Sequence, residues 1–129
     1  MSSLPESVRN ALVDHLLGTS TYTPPVQFYL ALYNGDPAGV GTEVTTPGTN
    51  GYNRQLLTVF AASGGAAKSD ADIVFGPVST VAWSNVTYVA TFDAASGGNL
   101  MWADPVIEWV LPLGSTYTIQ AGKYRVRIV

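Results

Sequence analysis

Alternation of apolar and polar side chains is the dominant pattern in the chain, and it is clearest over residues 86–93. Four larger or apolar side chains lie on one side of this segment when it is extended: Val86, Tyr88, Ala90 and Phe92. Five small residues, 94–98, interrupt the pattern before an apolar segment resumes at Leu100 and continues to Val106. A two-residue period is typical of a half-buried strand, so this stretch predicts a long antiparallel hairpin. We expect its tip, residues 94–98, to tolerate substitution.

Shorter apolar segments bounded by turn residues predict further strands on both sides of the hairpin. They cover residues 26–33, 52–60, 72–75, 81–83, 106–111, 117–119 and 123–129. Residues 38–51 contain four glycines and four threonines and are predicted to form an exposed loop, with at most a short strand at 43–45. In the last segment Tyr124, Val126 and Ile128 share one side, while Lys123, Arg125 and Arg127 share the other. This basic side is either a solvated strand face or the contact for an acidic partner.

One helix is predicted at the amino terminus. Ser3 and Glu6 have the spacing of a capping box, with Pro5 in the first turn, and Gly18 is placed to end the helix. Over residues 3–17 the apolar side recurs at helical spacing, at Leu4, Val8, Ala11, Leu12, His15 and Leu16. Whether this side packs on the protein's own sheet or on another subunit stays open, so the helix is a packing or assembly element.

The number and spacing of these segments favour a mainly β fold. We predict an antiparallel, jelly-roll-like β-sandwich of seven or eight short strands, preceded by one amphipathic helix. At 129 residues the chain fits one domain, residues 1–129.

Charged residues make up only 12% of the chain, about half of the usual ~25%. A surface so poor in charge is expected where neighbouring copies or partner proteins cover it, although a neutral surface of Thr and Ser gives the same composition. The net charge of −3 disfavours a nucleic-acid partner. No apolar run approaches the ~20 residues needed to span a bilayer, and no signal peptide begins the sequence, so we expect the protein to be made and folded in the cytosol.

The candidates for catalysis or metal binding are weak. His15 is the single histidine and there is no cysteine, so a packed or boundary role is favoured for it over a metal or triad role. Asp70 with Asp72, and Asp104 with Glu108, are the close carboxylate pairs, but turn formation accounts for such residues without chemistry. The acids Asp36 and Asp93 also begin turns. We therefore predict no catalytic residue, no metal site and no cofactor.

Partner contacts are the remaining role for the apolar helix side, the aromatics outside the strand alternation and several basic residues. Aromatics of this kind suit protein interfaces and sugar stacking alike. Arg54, isolated from other basic residues, is interpreted as the anchor of an intersubunit salt bridge or as a side chain at a strand edge. The predicted contact residues are Leu4, Val8, Leu12, Leu16, Tyr22, Tyr52, Arg54, Trp109, Arg125 and Arg127.

The order of several short motifs resembles a known family. These are ALVDHLLGTSTYTPP, VQFYLALYNGDP, GYNRQ, VTYVATFDAASGGNLMWADP and YTIQAGKYRVRIV, which together cover nearly the whole chain. They are similar to small proteins of tailed bacteriophages that are usually labelled tail-fibre proteins. The resemblance implies a non-enzymatic virion structural protein on a tail fibre or tail tip, which assembles as a homo-oligomer, a trimer, with other virion proteins. The alternatives are a capsid decoration protein on the head surface and, less favoured, an adhesin module that binds a host-surface glycan.

Overall fold

The structure, a computed structural model, describes residues 4–127. Within this range one helix precedes nine strands. Their bounds are α1 (Glu6–Leu17), β1 (Tyr29–Asn34), β2 (Thr42–Glu43), β3 (Gln55–Leu56), β4 (Ala66–Lys68), β5 (Ile73–Phe75), β6 (Val86–Phe92), β7 (Leu100–Trp109), β8 (Tyr117–Ile119) and β9 (Arg125–Arg127). The prediction of a mainly β, antiparallel fold with one amino-terminal helix is confirmed. The strands outnumber the seven or eight expected because some are ladders of only two or three residues.

The predicted hairpin, β6 and β7, lies in the main sheet. The strand order of this sheet is β2-β1-β6-β7. A fifth strand, β3, pairs with the first residues of β1. Strand β1 pairs antiparallel with β6, with Tyr29 opposite Phe92 and Tyr33 opposite Tyr88. Two further antiparallel pairs, β4 with β9 and β5 with β8, each form a two-stranded sheet. The central strands are thus paired on both edges, whereas β7 ends the main sheet.

The main core lies between one face of this sheet and the two smaller sheets. Leu30, Leu32 and Val89 from the main sheet belong to the same buried cluster as Phe75 of β5 and Tyr124, which immediately precedes β9. Because side chains alternate along a strand, the residues between these point to the opposite face of the main sheet. There a smaller cluster forms around three buried alanines and Phe92: Ala31, Ala90, Phe92 and Ala103. The result is a layered, open sandwich and not a closed barrel.

Two strand predictions are wrong. The segment 106–111 is not a separate strand, because β7 continues through Pro105 from Leu100 to Trp109. A proline without an N–H is tolerated there because β7 is an edge strand of the main sheet. Residues 81–83 form no strand, although Trp83 is buried and its Nε1–H donates to the carbonyl of Asn50 at 3.0 Å. The segment is predicted as a strand because it is apolar, but only the Trp83 side chain enters the core and the backbone makes no strand pairing.

The helix also begins later than predicted. Its first residue is Glu6, and Pro5 precedes it with an extended ψ of 152°, so Pro5 is not in the first turn. Ser3, the predicted cap, lies outside the described residues. The other end agrees with the sequence: Gly18 has a left-handed φ of 77°, and the backbone N–H groups of the cap reach the carbonyls of Asp14 and His15. Within the described range no helix has the length and apolar character needed to cross a membrane.

Candidate assembly surface

The helix packs on its own chain with only part of its length. Leu4, Val8 and Leu12 are half-buried against the sheet side, but no helical residue is fully buried. Leu16 and Leu17, at the other end, are 83% and 71% exposed. These two leucines are called the helix overhang below. The question left open by the sequence is answered for the first half of the helix, whereas the overhang has no covering surface within residues 4–127.

An apolar cavity of about 180 Å³ separates the helix from the strands beneath it. Val8 and Leu12 of the helix, with Leu4 just before it, form one wall, and Phe28, Met101 and Trp102 are among the other lining residues. Tyr22 also lines the cavity, and its backbone N–H donates to Nδ1 of His15 at 3.1 Å. His15 therefore fastens the segment after the helix to the helix itself, a boundary role rather than a packed one.

The end of β7 carries a second group of exposed apolar residues. Ile107 is 85% exposed, and Trp109, Val110 and Leu113 are exposed as well. The indole of Trp109 meets the ring of Tyr117 edge to face, with 6.5 Å between centroids. Single exposed apolar residues are normal on proteins, but several close together in sequence, at the end of an edge strand and just after it, are typical of an interface.

Strand β9 presents the basic side that the sequence predicts. Arg125 and Arg127 are exposed, whereas Val126 between them packs against the main core. The partner strand adds another cation, because Lys68 of β4 lies directly opposite Arg125. Lys123 is exposed just before the strand. These four residues, Lys68, Lys123, Arg125 and Arg127, are called the basic face below.

Tyr52 and Arg54 lie inside the subunit, which differs from the role in partner contacts predicted for them. The Arg54 guanidinium donates to both carboxylate oxygens of Glu43, at 3.1 Å from Nε and 2.8 Å from Nη2. Its Nη1 donates to the carbonyls of Ala94 and Gly97, at 3.0 and 2.8 Å, in the tip of the β6–β7 hairpin. Arg54 therefore ties β2 to the hairpin tip within one chain.

Aromatic residues complete this buried network. The guanidinium carbon of Arg54 lies 4.0 Å from the centroid of the Phe92 ring. The Tyr52 hydroxyl donates to Oε2 of Glu43 at 2.7 Å and accepts from the N–H of Leu32 at 3.0 Å. Burial, then Glu43, raise the pKa of Tyr52. Burial lowers the pKa of Arg54, but its hydrogen bonds to Glu43 and the nearby charge of Glu43 raise the pKa overall, so the guanidinium stays charged.

The hairpin tip is more constrained than the sequence suggests. Asp93 accepts hydrogen bonds from the backbone and side-chain N–H groups of Asn99, at 2.7 and 3.0 Å, and these lower its pKa. Gly98 has a φ of +76°, and a Cβ built there would stand 2.5 Å from Oδ1 of Asp93. The expectation that the whole tip tolerates substitution is therefore wrong at Gly98.

The carboxylates considered for chemistry hold turns and loops. Asp36 accepts from the N–H of Ala38 at 2.9 Å, and Asp72 accepts from the N–H of Ala121 at 2.8 Å. Asp70 accepts from the hydroxyl of Thr58, and Glu108 accepts from the side-chain amide of Asn85 at 3.0 Å. Asp104 accepts from the hydroxyl of Tyr124 at 3.2 Å. In the part of the chain described here, no three side chains are grouped as metal ligands would be.

The structure thus distributes the ten predicted contact residues over three exposed regions and one buried network. Leu4, Val8, Leu12 and Tyr22 line the cavity, and Leu16 belongs to the helix overhang. Trp109 ends β7, and the two arginines of β9 belong to the basic face. Sequence reasoning missed Leu17, Ile107 and Lys68. For Lys68 the signal was absent, because only the pairing of β4 with β9 places it beside Arg125. Contact with a partner remains a prediction for the eight exposed or half-buried members.

The family model described as Podophage GP4 fiber I protein gp80 matches residues 3–127. No curated protein sequence matches the chain.

Proposed function

The chain belongs to this family of phage fibre proteins, as its resemblance to tail-fibre proteins predicts, and we propose that it is a non-enzymatic fibre subunit that assembles with copies of itself. The observation that carries the proposal is the helix overhang. Leu16 continues the apolar side of a helix whose first half lines the cavity over the sheet, and Leu17 is exposed on another side of the same helical turn. Covering such residues by a neighbouring copy removes apolar surface from water at ~25 cal/mol per Å².

Three features support assembly over a catalytic role. Apolar residues are exposed at two separate places, the overhang and the end of β7. The acids that a hydrolase would need accept hydrogen bonds from turns and loops instead. The charged fraction of 12% permits close approach between subunits, since interface cores are depleted of charge. The subunit is then a rigid block, placed in the virion with other virion proteins.

The mass of the protein in solution, measured by light scattering, tests this proposal. We expect an oligomer, with a trimer as the resemblance implies, and we expect Leu16→Gln with Leu17→Gln to shift it towards the monomer. Val26→Gln with Val40→Gln is the matched control, because both valines are almost fully exposed and neither is on the helix. A monomeric wild-type protein at micromolar concentration would reject self-assembly.

The place of the subunit in the particle needs a second measurement. Electron cryo-microscopy of the parent phage should show the sandwich on tail fibres or at the tail tip, as the fibre family suggests. Density on the capsid and none on the tail would reject this in favour of a decoration protein. Saturable binding of a host-surface glycan by the monomer would instead support an adhesin.

A further inference from the structure

We infer that the basic face is a docking surface for the acidic side of a second copy, so that subunits join through unlike surfaces. The inference rests on the proposed self-assembly and names the surfaces that meet. Four of the six basic residues of the chain, Lys68, Lys123, Arg125 and Arg127, are on this face. The remainder of the chain carries two basic residues and nine acidic ones. A second copy is therefore complementary in charge to the face.

The geometry of the face favours an external anion. Lys68 and Arg125 occupy directly opposed positions on neighbouring antiparallel strands. Like charges in such a pair repel each other, and a negatively charged group from a neighbour offsets this repulsion because it attracts both cations. Arg127 lies opposite Ala66, whose methyl group leaves the arginine accessible. Alternate residues along β9 are about 6.6 Å apart, so the cations form a row and not a single point.

The carboxylates near the basic face on the same chain accept hydrogen bonds from hydroxyl or backbone N–H groups. Asp70 accepts from the hydroxyl of Thr58, and Asp72 accepts from the backbone N–H of Ala121. Asp104 lines the cleft beside Lys123 and Arg125, but its Oδ2 accepts from the Tyr124 hydroxyl at 3.2 Å. Arg125 and Arg127 stay exposed beside these acids.

The complementary surface on the second copy is the wide cleft between the start of the helix and the loops after β1 and β6. Asp93 lines this cleft, and its low pKa keeps it charged. Ser7 and Pro37 also line the cleft. The residues directly before them in the chain, Glu6 and Asp36, are exposed acids, so they add negative charge beside the cleft. Its volume of about 650 Å³ admits long side chains such as arginine. The two surfaces involve different residues, so the contact is heterologous and closes into a ring if the rotation between copies permits.

Sedimentation velocity in NaCl at about 0.1 M and about 1 M tests the contact, because the Debye length falls from ~10 Å to ~3 Å. We expect high salt to weaken self-association by on the order of tenfold or more. Arg125→Glu should weaken it at low salt to a similar degree. Val81→Glu is the control, because it adds a negative charge at an exposed residue that belongs to neither surface. Circular dichroism checks that each variant is folded.

A charge exchange provides the decisive variant. Arg125→Glu and Arg127→Glu reverse the charge of β9, while Glu6→Lys reverses one charge beside the cleft and Asp36→Asn removes another and retains an acceptor for the N–H of Ala38. Each pair alone should weaken the oligomer, and all four changes in one chain should restore part of the association. An oligomer unaffected by salt and by Arg125→Glu refutes this contact but leaves self-assembly intact. A wild-type monomer at both salt concentrations refutes both, and binding of heparin by such a monomer would assign the face to an anionic polysaccharide.

Discussion

Replacing Glu43 with glutamine tests whether the buried ion pair holds β2 against the hairpin tip. The substitution keeps the shape of the side chain and one oxygen acceptor, but it removes the negative charge opposite Arg54. The Arg54 side chain is only 3% exposed, so water cannot replace the lost partner. Arg54 would then remain buried as a cation without its carboxylate partner, and its remaining contacts include two backbone carbonyls, the Tyr33 side chain and the Phe92 ring.

The expected loss in free energy of unfolding is about 3 kcal/mol. Removing one partner of a buried ion pair costs roughly 3–5 kcal/mol, because an uncompensated charge is left behind. The lower end applies here because the Glu43 side chain is 14% exposed and the glutamine oxygen keeps one hydrogen bond. Hydrogen bonds to charged groups contribute about 1.5–3 kcal/mol each, so the loss or weakening of two such bonds gives a similar figure.

Urea unfolding followed by tryptophan fluorescence measures this loss, with every variant at the same protein concentration because assembly adds to stability. Glu108→Gln is the control, since that exposed carboxylate accepts from an asparagine amide and should change stability by less than about 0.5 kcal/mol. A loss below about 1 kcal/mol for Glu43→Gln would show that the ion pair is not structural. Adding Arg54→Met should cost less than the sum of the two single changes, because the stranded charge is removed.

Three further predictions concern the hairpin and the buried tyrosines. Gly98→Ala should destabilise the protein by more than about 1 kcal/mol, since its φ is +76° and its Cβ would meet Asp93, whereas Ala95→Ser at the exposed tip should be neutral by the same urea assay. Phe92→Ala should cost about 3–5 kcal/mol in thermal or urea unfolding, and near-wild-type stability would refute the role given to this ring. Burial is the largest cause that raises the pKa of Tyr52 and of Tyr124 above the ordinary 10.0. The protonated phenols therefore stabilise the fold fully below pH 10, and this stabilisation is lost as the pH rises towards their raised pKa values. Phenolate absorbance from these two should therefore appear together with the loss of circular dichroism, and earlier ionisation in the folded protein would contradict this.

The sequence predicts the elements with a long repeating pattern and is less exact for very short strands: β3 is two residues within the predicted strand 52–60, and β4 is not among the predicted strands. The hairpin and the alternation around Val126 could be predicted because each has enough residues to display a two-residue period. Strands β2 and β3 have two residues each, and no period is visible at that length. Yet both pair with β1, which places Glu43 and Arg54 side by side although a predicted loop contains the glutamate. A long-range pairing of this kind leaves no local trace in the sequence.

The structure also changes the meaning of the low charge content. Eight of the nine carboxylates accept hydrogen bonds within the described residues, so most acids serve the fold locally. The exposed cations are instead concentrated on one small sheet, and the exposed leucines end the helix. Contacts through these two surfaces respond oppositely to salts: chloride screens the charged one, whereas sulfate strengthens burial of the apolar one. If both operate, ammonium sulfate should preserve oligomers that carry Arg125→Glu but not those that carry the two leucine changes, and a uniform response to both salts would mean that one surface alone holds the subunits together.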